Sequence, residues 1–323
     1  MANKKIFIEI PTWLGDAVMA TPAIENIVAH YPNCELTILG SFVSSKIFAH
    51  HPNVKKILID DSKKSGFRYT NLYKIAKSVG NVDIAFSFRR NFTSDFLLFF
   101  VDAKEKYRYK RYTQDEIHLV IRYNDFVNRS LKIKTTPQKL KIYQDENNSK
   151  FKIKDSSLTL GINPGATYGS AKRWYPKEFA KVIIELSKSY DTLIFGGSGE
   201  VDMAKDIEDE LLSSNITNYQ NLAGKTTVEE LIEKIANLDL FITNDSGPMH
   251  LAAAFGVPTV CIFGPTKFSE TSQWQNEKSV IVKKEFGCMP CMKRECPLGG
   301  EEYHQCMKNI YANDVLEKVK ELG

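Results

Sequence analysis

Short apolar runs alternate with stretches whose apolar residues recur every three or four positions, and this alternation runs through both halves of the 323-residue chain. In the first half it predicts strands over 6–10, 35–39, 54–59 and 83–86, with helices over 16–30, 44–50, 72–79 and 93–100. In the second it predicts strands over 159–162, 192–195, 240–243 and 259–263. Helices are expected there over 176–188, 200–212, 227–236, 248–255 and 313–322. Strand–helix–strand repetition implies right-handed crossovers and parallel sheets. The polar stretch 138–155 predicts a linker, dividing the chain into residues 1–150 and 151–323. The expected fold class is α/β: two doubly wound, Rossmann-like domains facing across a cleft. Ligands of such sheets bind beyond the carboxyl ends of the strands.

The loops at those ends hold the candidate chemistry. Asn244-Asp245-Ser246-Gly247-Pro248-Met249-His250 separates a buried strand from a helix ended by Gly256. Backbone N–H groups at a helix start point outward, and the helix dipole favours an anion there. Gly247 lets a ligand approach the backbone. His250 can add a proton donor, and Asp245 can accept from hydroxyls but would repel phosphate. A sugar nucleotide, with both phosphate and hydroxyls, fits. Helix capping by Asp245 or Ser246, with His250 a core residue, accounts for the same pattern.

Asn163–Trp174 is rich in small and hydroxyl residues and closes with Lys172-Arg173. It could wrap a diphosphate, Thr167 donating and Lys172 supplying charge. Neither a P-loop nor a dinucleotide fingerprint is present. After the next strand, Gly196-Gly197-Ser198-Gly199-Glu200 permits close packing of a ligand. Glu200 could hold a ribose hydroxyl pair or serve only as a first-turn helix charge. In the first half, Asp16 follows Trp13-Leu14-Gly15 and opens a helix of small residues. It could deprotonate an acceptor hydroxyl as a general base, or merely cap that helix.

Charge is uneven. Residues 1–150 hold 24 Lys/Arg against 15 Asp/Glu, whereas the rest hold 19 against 24. The basic half suits an anionic substrate or a membrane surface. Nucleic acid is not expected, because the Tyr107–Tyr112 alternation of aromatic and basic residues reads as a solvated edge strand or loop. The opening Met1-Ala2-Asn3-Lys4-Lys5-Ile6 leads into a strand rather than a signal peptide. The strongest apolar run, 96–101, is far below the roughly 20 residues of a membrane helix. A cytoplasmic protein with peripheral contact at the inner face of the inner membrane is expected. Cys288, Cys291, Cys296 and Cys306 form a dense cluster. The first pair has zinc-like spacing and the second does not, so a structural zinc is possible but reduced thiols are favoured.

Taken in order, Trp13-x-Gly15-Asp16 with Thr21-Pro22-Ala23, Pro164-Gly165-Ala166 with Lys172-x-Trp174, Gly196-Gly197, and Asp245-Ser246-Gly247-Pro248-x-His250-Leu251-Ala252 resemble the heptosyltransferases of lipopolysaccharide inner-core synthesis, glycosyltransferase family 9. The resemblance covers almost the whole chain. Trp13 is more like the members that add the second heptose than those that add the first. The resemblance implies a GT-B fold and inverting, metal-independent transfer with no required cofactor. The donor would be ADP-L-glycero-D-manno-heptose, and the acceptor a phosphorylated or Kdo-bearing lipid A core. It implies Asp16 as base. Thr167, Lys172, Ser246, Gly247 and His250 fall at the diphosphate, Glu200 at the ribose, Asp245 at the donor sugar and Thr226 near the adenine. Tyr168 stands where some members have a second hydroxyl. Lys63, Lys64, Arg68, Arg89 and Arg90 are candidates for acceptor carboxylates or phosphates. A heptosyltransferase acting earlier or later in the core, an epimerase, and a non-catalytic nucleotide-binding protein of the same fold are the alternatives.

Overall fold

The computed structural model describes residues 3–64, 66–145 and 158–322. The chain divides into two compact units, Met1–Asn148 and Ser149–Gly323.

The first unit runs β1 (Lys5–Glu9), α1 (Leu14–Met19), α2 (Thr21–His30), β2 (Glu35–Gly40), α3 (Phe42–Ser45), β3 (Val54–Ile59), α4 (Arg68–Val79), β4 (Asn81–Ser87), α5 (Phe92–Phe100), β5 (Asp102–Arg108) and α6 (Leu119–Leu131). Its sheet has the order β3-β2-β1-β4-β5. Every pairing is parallel, with Ile6 beside both Leu36 and Ile84. Leu72, Ala76 and Val79 from α4, and Leu97 and Leu98 from α5, bury against Phe7, Leu39 and Ala85 of the sheet.

Three expectations need correction here. The single helix over 16–30 is two. Pro22 has no N–H for the carbonyl of Val18, and the Thr21 hydroxyl donates to that oxygen instead, at 2.7 Å. Arg68 lies at the start of α4 rather than in the preceding loop. The linker expected over 138–155 does not begin at 138. Leu140 and Ile142 are buried, Lys141 N–H donates to Thr21 Oγ1, and Tyr143 donates to Glu25. Residues 146–155 of that linker lie outside the described residues.

The second unit runs β6 (Leu158–Asn163), α7 (Pro176–Leu186), β7 (Tyr190–Ile194), α8 (Val201–Ser213), β8 (Tyr219–Asn221), α9 (Val228–Ala236), β9 (Leu240–Asn244), α10 (Gly247–Phe255), β10 (Thr259–Ile262), α11 (Phe268–Thr271), β11 (Ser279–Val282), α12 (Gln305–Lys308) and α13 (Ala312–Lys320). The parallel order is β11-β10-β9-β6-β7-β8. Trp174 stacks edge-on against Phe179 in a core that includes Ile162, Ile183 and Ile242. In each sheet the chain reverses direction of winding beside its first strand, between β1 and β4 and between β6 and β9. A crevice opens at such a switch point.

Candidate active site

At the switch point of the second sheet, the loops after β6 and β9 are stapled together. Asn163 donates to Gly165 O and to Ser246 Oγ at 3.1 and 3.2 Å. Asn244 Nδ2 donates to Pro164 O at 2.6 Å, while its Oδ1 accepts from Trp174 N–H. Trp174 Nε1–H donates to Ile310 O, so the loop end is fixed to the C-terminal segment. Between these staples Thr167 is exposed.

Lys172 reaches across the loops to Asp245. Their ion pair is 2.6 Å long, and the side chains are 13% and 4% exposed. The Thr266 hydroxyl donates to the same carboxylate at 2.5 Å. Asp245 is therefore a buried charge held by one cation and one hydroxyl. No side chain caps α10: Ser246 is its N-cap by backbone position, but its hydroxyl is turned to Asn163 and Thr243. That leaves the first turn, with Gly247 half-buried, facing the crevice. His250 is buried one turn further along. A helix start without a side-chain cap, beside a lysine, is suited to an anion.

Glu200 joins this site through β7. Its carboxylate accepts from Gly197 N–H at 2.8 Å and lies over Gly165, where a Cβ would overlap it. Gly224 N–H donates to Gly196 O at 2.9 Å, which brings the loop after β8 and half-buried Thr226 alongside. Tyr168 donates to Met292 O, and its ring lies under Lys172 and Arg294.

At the switch point of the first sheet, Asp16 sits half-buried in the first turn of α1. Burial, and then the Asp16 charge, holds the Tyr123 phenol well above its ordinary range. Burial also raises Tyr109, where Arg122, Arg111 and Arg90 oppose the effect of Asp16. The carboxylate thus acts on both tyrosines, whose rings meet at 5.2 Å, and Tyr109 also feels three arginines.

Arg89 behaves differently from the exposed Arg90. It donates to Ile10 O at 2.7 Å and to Asp60 at 2.9 Å, and pairs with Glu9 at 3.3 Å. Its side chain is turned inward, so the fold uses it as an internal buttress rather than as an open anion ligand. Glu9 also accepts from Ser87 and Ser94. Burial raises the Glu9 carboxyl above its usual range despite Arg89. Arg68 donates to Thr93. Lys63 and Lys64 are exposed just before α4.

The four clustered cysteines are free thiols that line a cavity of about 50 Å³ with His304. Burial and the neighbouring thiols push Cys306 up to about 11. Among the described residues, no group of three His, Cys, Asp or Glu is placed to hold a metal ion. This segment braces the loop after β6. Arg294 O accepts from Ala171 N–H, and His304 Nε2 meets Ala171 O at 3.0 Å.

Sequence reasoning gave Asn163 and Asn244 no role in fixing the loops, and it missed Thr266 and the Tyr109–Tyr123 pair on which Asp16 acts. The two asparagines carry a readable signal, because each ends a buried central strand with a polar side chain.

Two doubly wound parallel units, each with candidate loops at its switch point, are the architecture of the GT-B class of glycosyltransferases. Residues 73–301 match the model of glycosyltransferase family 9 (heptosyltransferase). The chain is 43% identical over 320 residues to lipooligosaccharide heptosyltransferase 2 of Campylobacter jejuni, covering 98% of each. The solved ADP-heptose heptosyltransferase II of E. coli superposes with a TM-score of 0.78 at 23% identity, covering 98% of both chains. The E. coli heptosyltransferase WaaC with ADP-2-deoxy-2-fluoro heptose gives 0.75 at 15%, covering 99% of this chain and all of that one. The chain belongs to glycosyltransferase family 9 and is a glycosyltransferase.

Proposed function

We propose that this enzyme transfers L-glycero-D-manno-heptose from ADP-heptose to the heptosyl-Kdo-lipid A core of lipopolysaccharide or lipooligosaccharide, adding the second heptose. The observation that carries the reading is the convergence of Lys172, Ser246, Gly247 and His250 at one switch point, in a chain 43% identical to a lipooligosaccharide heptosyltransferase 2. The donor is supported by a solved relative held with an ADP-heptose analogue.

In this reading Asp16 takes the proton of an acceptor hydroxyl as that oxygen attacks the anomeric carbon. The anomeric C–O bond to the diphosphate breaks, and a single displacement inverts that centre. Thr167, Lys172, His250 and the first turn of α10 take the charge that develops on the departing ADP. Glu200 holds the ribose, Thr226 borders the adenine, and Asp245 orients the heptose hydroxyls. Lys63, Lys64, Arg68 and Arg90 meet the anionic groups of the acceptor, at the inner face of the inner membrane. No metal ion is required.

The test is ADP release from ADP-heptose with core acceptors bearing zero, one or two heptoses. Turnover is expected with the one-heptose acceptor, and preference for another would reassign the step. Asp16→Asn should lower single-turnover transfer by about 10²–10⁴-fold while calorimetry shows donor affinity unchanged. Residual activity within about tenfold of wild type would remove Asp16 as the base.

A further inference from the structure

The outer side of α4 and α5 carries an aromatic ridge that starts beside the acceptor candidates Lys64 and Arg68 and runs away from them. Phe67, Phe92 and Phe99 are 70%, 70% and 75% exposed. They are connected by ring contacts. Phe67 meets Tyr69 at 5.6 Å, and Tyr69 meets Phe92 and Phe96 at 6.2 and 5.0 Å. Phe96 continues to Phe100 at 4.8 Å, and Phe100 meets Phe99 at 4.9 Å. The inner faces of the same helices are already buried on the sheet. The joining rings Tyr69, Phe96 and Phe100 are half-buried against the core, so the three exposed rings stand on one aromatic base, and exposed rings grouped in this way mark an interaction surface.

Charge identifies the occupant. Residues 63–79 contain Lys63, Lys64, Arg68, Lys74 and Lys77 and no acidic residue. Lys77 lies over the Tyr73 ring, and Lys106 donates to Phe99 O, so cations border the ridge. The acid of α5, Asp95, is paired with Arg108. Exposed rings bordered by unopposed lysines match an anionic bilayer surface, where aromatics enter the headgroup region and lysines meet lipid phosphates. No helix among the described residues is long and apolar enough to cross a membrane.

Position agrees with this. Phe67 lies in the connection after β3, Phe92 follows β4, and Asp16 follows β1, all at the carboxyl edge of one parallel sheet. Phe99, Lys74 and Lys77 lie about two turns further along α5 and α4, so the surface runs down the side of the unit and starts at the edge that carries Asp16.

We propose that the α4–α5 ridge, through Phe67, Phe92 and Phe99 with Lys74 and Lys77, docks the enzyme on an anionic lipid bilayer. The proposal rests on the reading that the acceptor is lipid-anchored.

The experiment is co-sedimentation of the full chain with phosphatidylglycerol or phosphatidylcholine vesicles. Wild type should partition onto the anionic vesicles, and about 0.5 M salt should weaken this. Phe67→Ser/Phe92→Ser/Phe99→Ser should lose at least about tenfold in partitioning. Lys74→Glu/Lys77→Glu should lose about 25-fold or more on anionic vesicles, since each lysine near such a surface contributes about fivefold. Unchanged melting and ADP affinity would show that the variants are folded.

Transfer to a deacylated, soluble acceptor should be the same in Lys74→Glu/Lys77→Glu as in wild type, while transfer to vesicle-embedded acceptor falls in both variants. Vesicle binding by both variants equal to wild type overturns the proposal. So does a phenylalanine variant whose only change is lost self-association in sedimentation velocity. Wild type that binds vesicles but uses neither acceptor overturns the functional reading and leaves the docking surface standing.

Discussion

Removing the ammonium of Lys172 while keeping Asp245 should produce two separable losses. Asp245 is 4% exposed and is held by Lys172 at 2.6 Å and by the Thr266 hydroxyl at 2.5 Å. Lys172→Met takes the ammonium from that carboxylate and leaves it buried against the Thr266 hydroxyl. Breaking one side of a buried pair costs about 3–5 kcal/mol, and the remaining hydrogen bond favours the lower end. The second unit spans Ser149–Gly323. For a unit of that size about 3 kcal/mol lowers Tm by roughly 6–12 °C. ADP binding should also weaken by about 10- to 150-fold, the equivalent of one charge-assisted hydrogen bond.

Adding Asp245→Asn to Lys172→Met removes the orphaned charge. The double variant should regain most of the Tm and none of the ADP affinity. Calorimetric melts and ADP titrations of the four proteins form the cycle. A single variant melting within about 1 °C of wild type would refute the buried-pair reasoning. Recovery of ADP affinity together with Tm would mean that Lys172 reaches the nucleotide only through the fold.

Further outcomes follow from the same geometry. Gly165→Ala forces the Glu200 carboxylate aside; overpacking of about 1–3 kcal/mol and weaker ADP binding are expected, and wild-type melting and affinity would show that Glu200 moves freely. Glu9 has a folded pKa above its ordinary value, so the stability of its neutral form is complete below the unfolded value and is lost as pH rises through the folded one. Glu9→Gln should therefore gain on wild type as pH goes from about 4 to 8 in urea titrations, and a constant difference would deny the shift. Transfer should persist in EDTA, whereas a strict requirement for Mg²⁺ or Mn²⁺ would overturn the proposed leaving-group role of Lys172 and α10.

Buried central strands were the most legible part of the fold. β1, β6 and β9 are short apolar runs with covered faces, and their loops carry the motifs. Edge elements were less legible because solvent keeps them polar. β8 is Tyr219-Gln220-Asn221, and β5 is Asp102–Arg108 with mostly exposed side chains. α6 has plain helical spacing in Val120, Tyr123, Phe126 and Val127, but it lies between the basic hexamer and a polar stretch that read as loop. At the site, residue types and order pointed to loops that the fold gathers at the two switch points. The Lys172–Asp245 pair was not legible, because two side chains 73 positions apart meet only once β6 and β9 are neighbours. The inward turn of Arg89 was hidden likewise, since Asp60 and Glu9 reach it from other strands.

The hydrogen bond from Trp174 Nε1 to Ile310 O sets an order of events during synthesis. The first sheet has all its strands once β5 has left the ribosome, so the half that carries Asp16 can fold while the second is still being made. The nucleotide loop must wait. β6 lacks its partner β9 until residue 244 emerges, and Trp174 lacks its anchor until residue 310 does. A nascent chain halted before that point has a complete first sheet while the loop between β6 and α7 still lacks its last anchor.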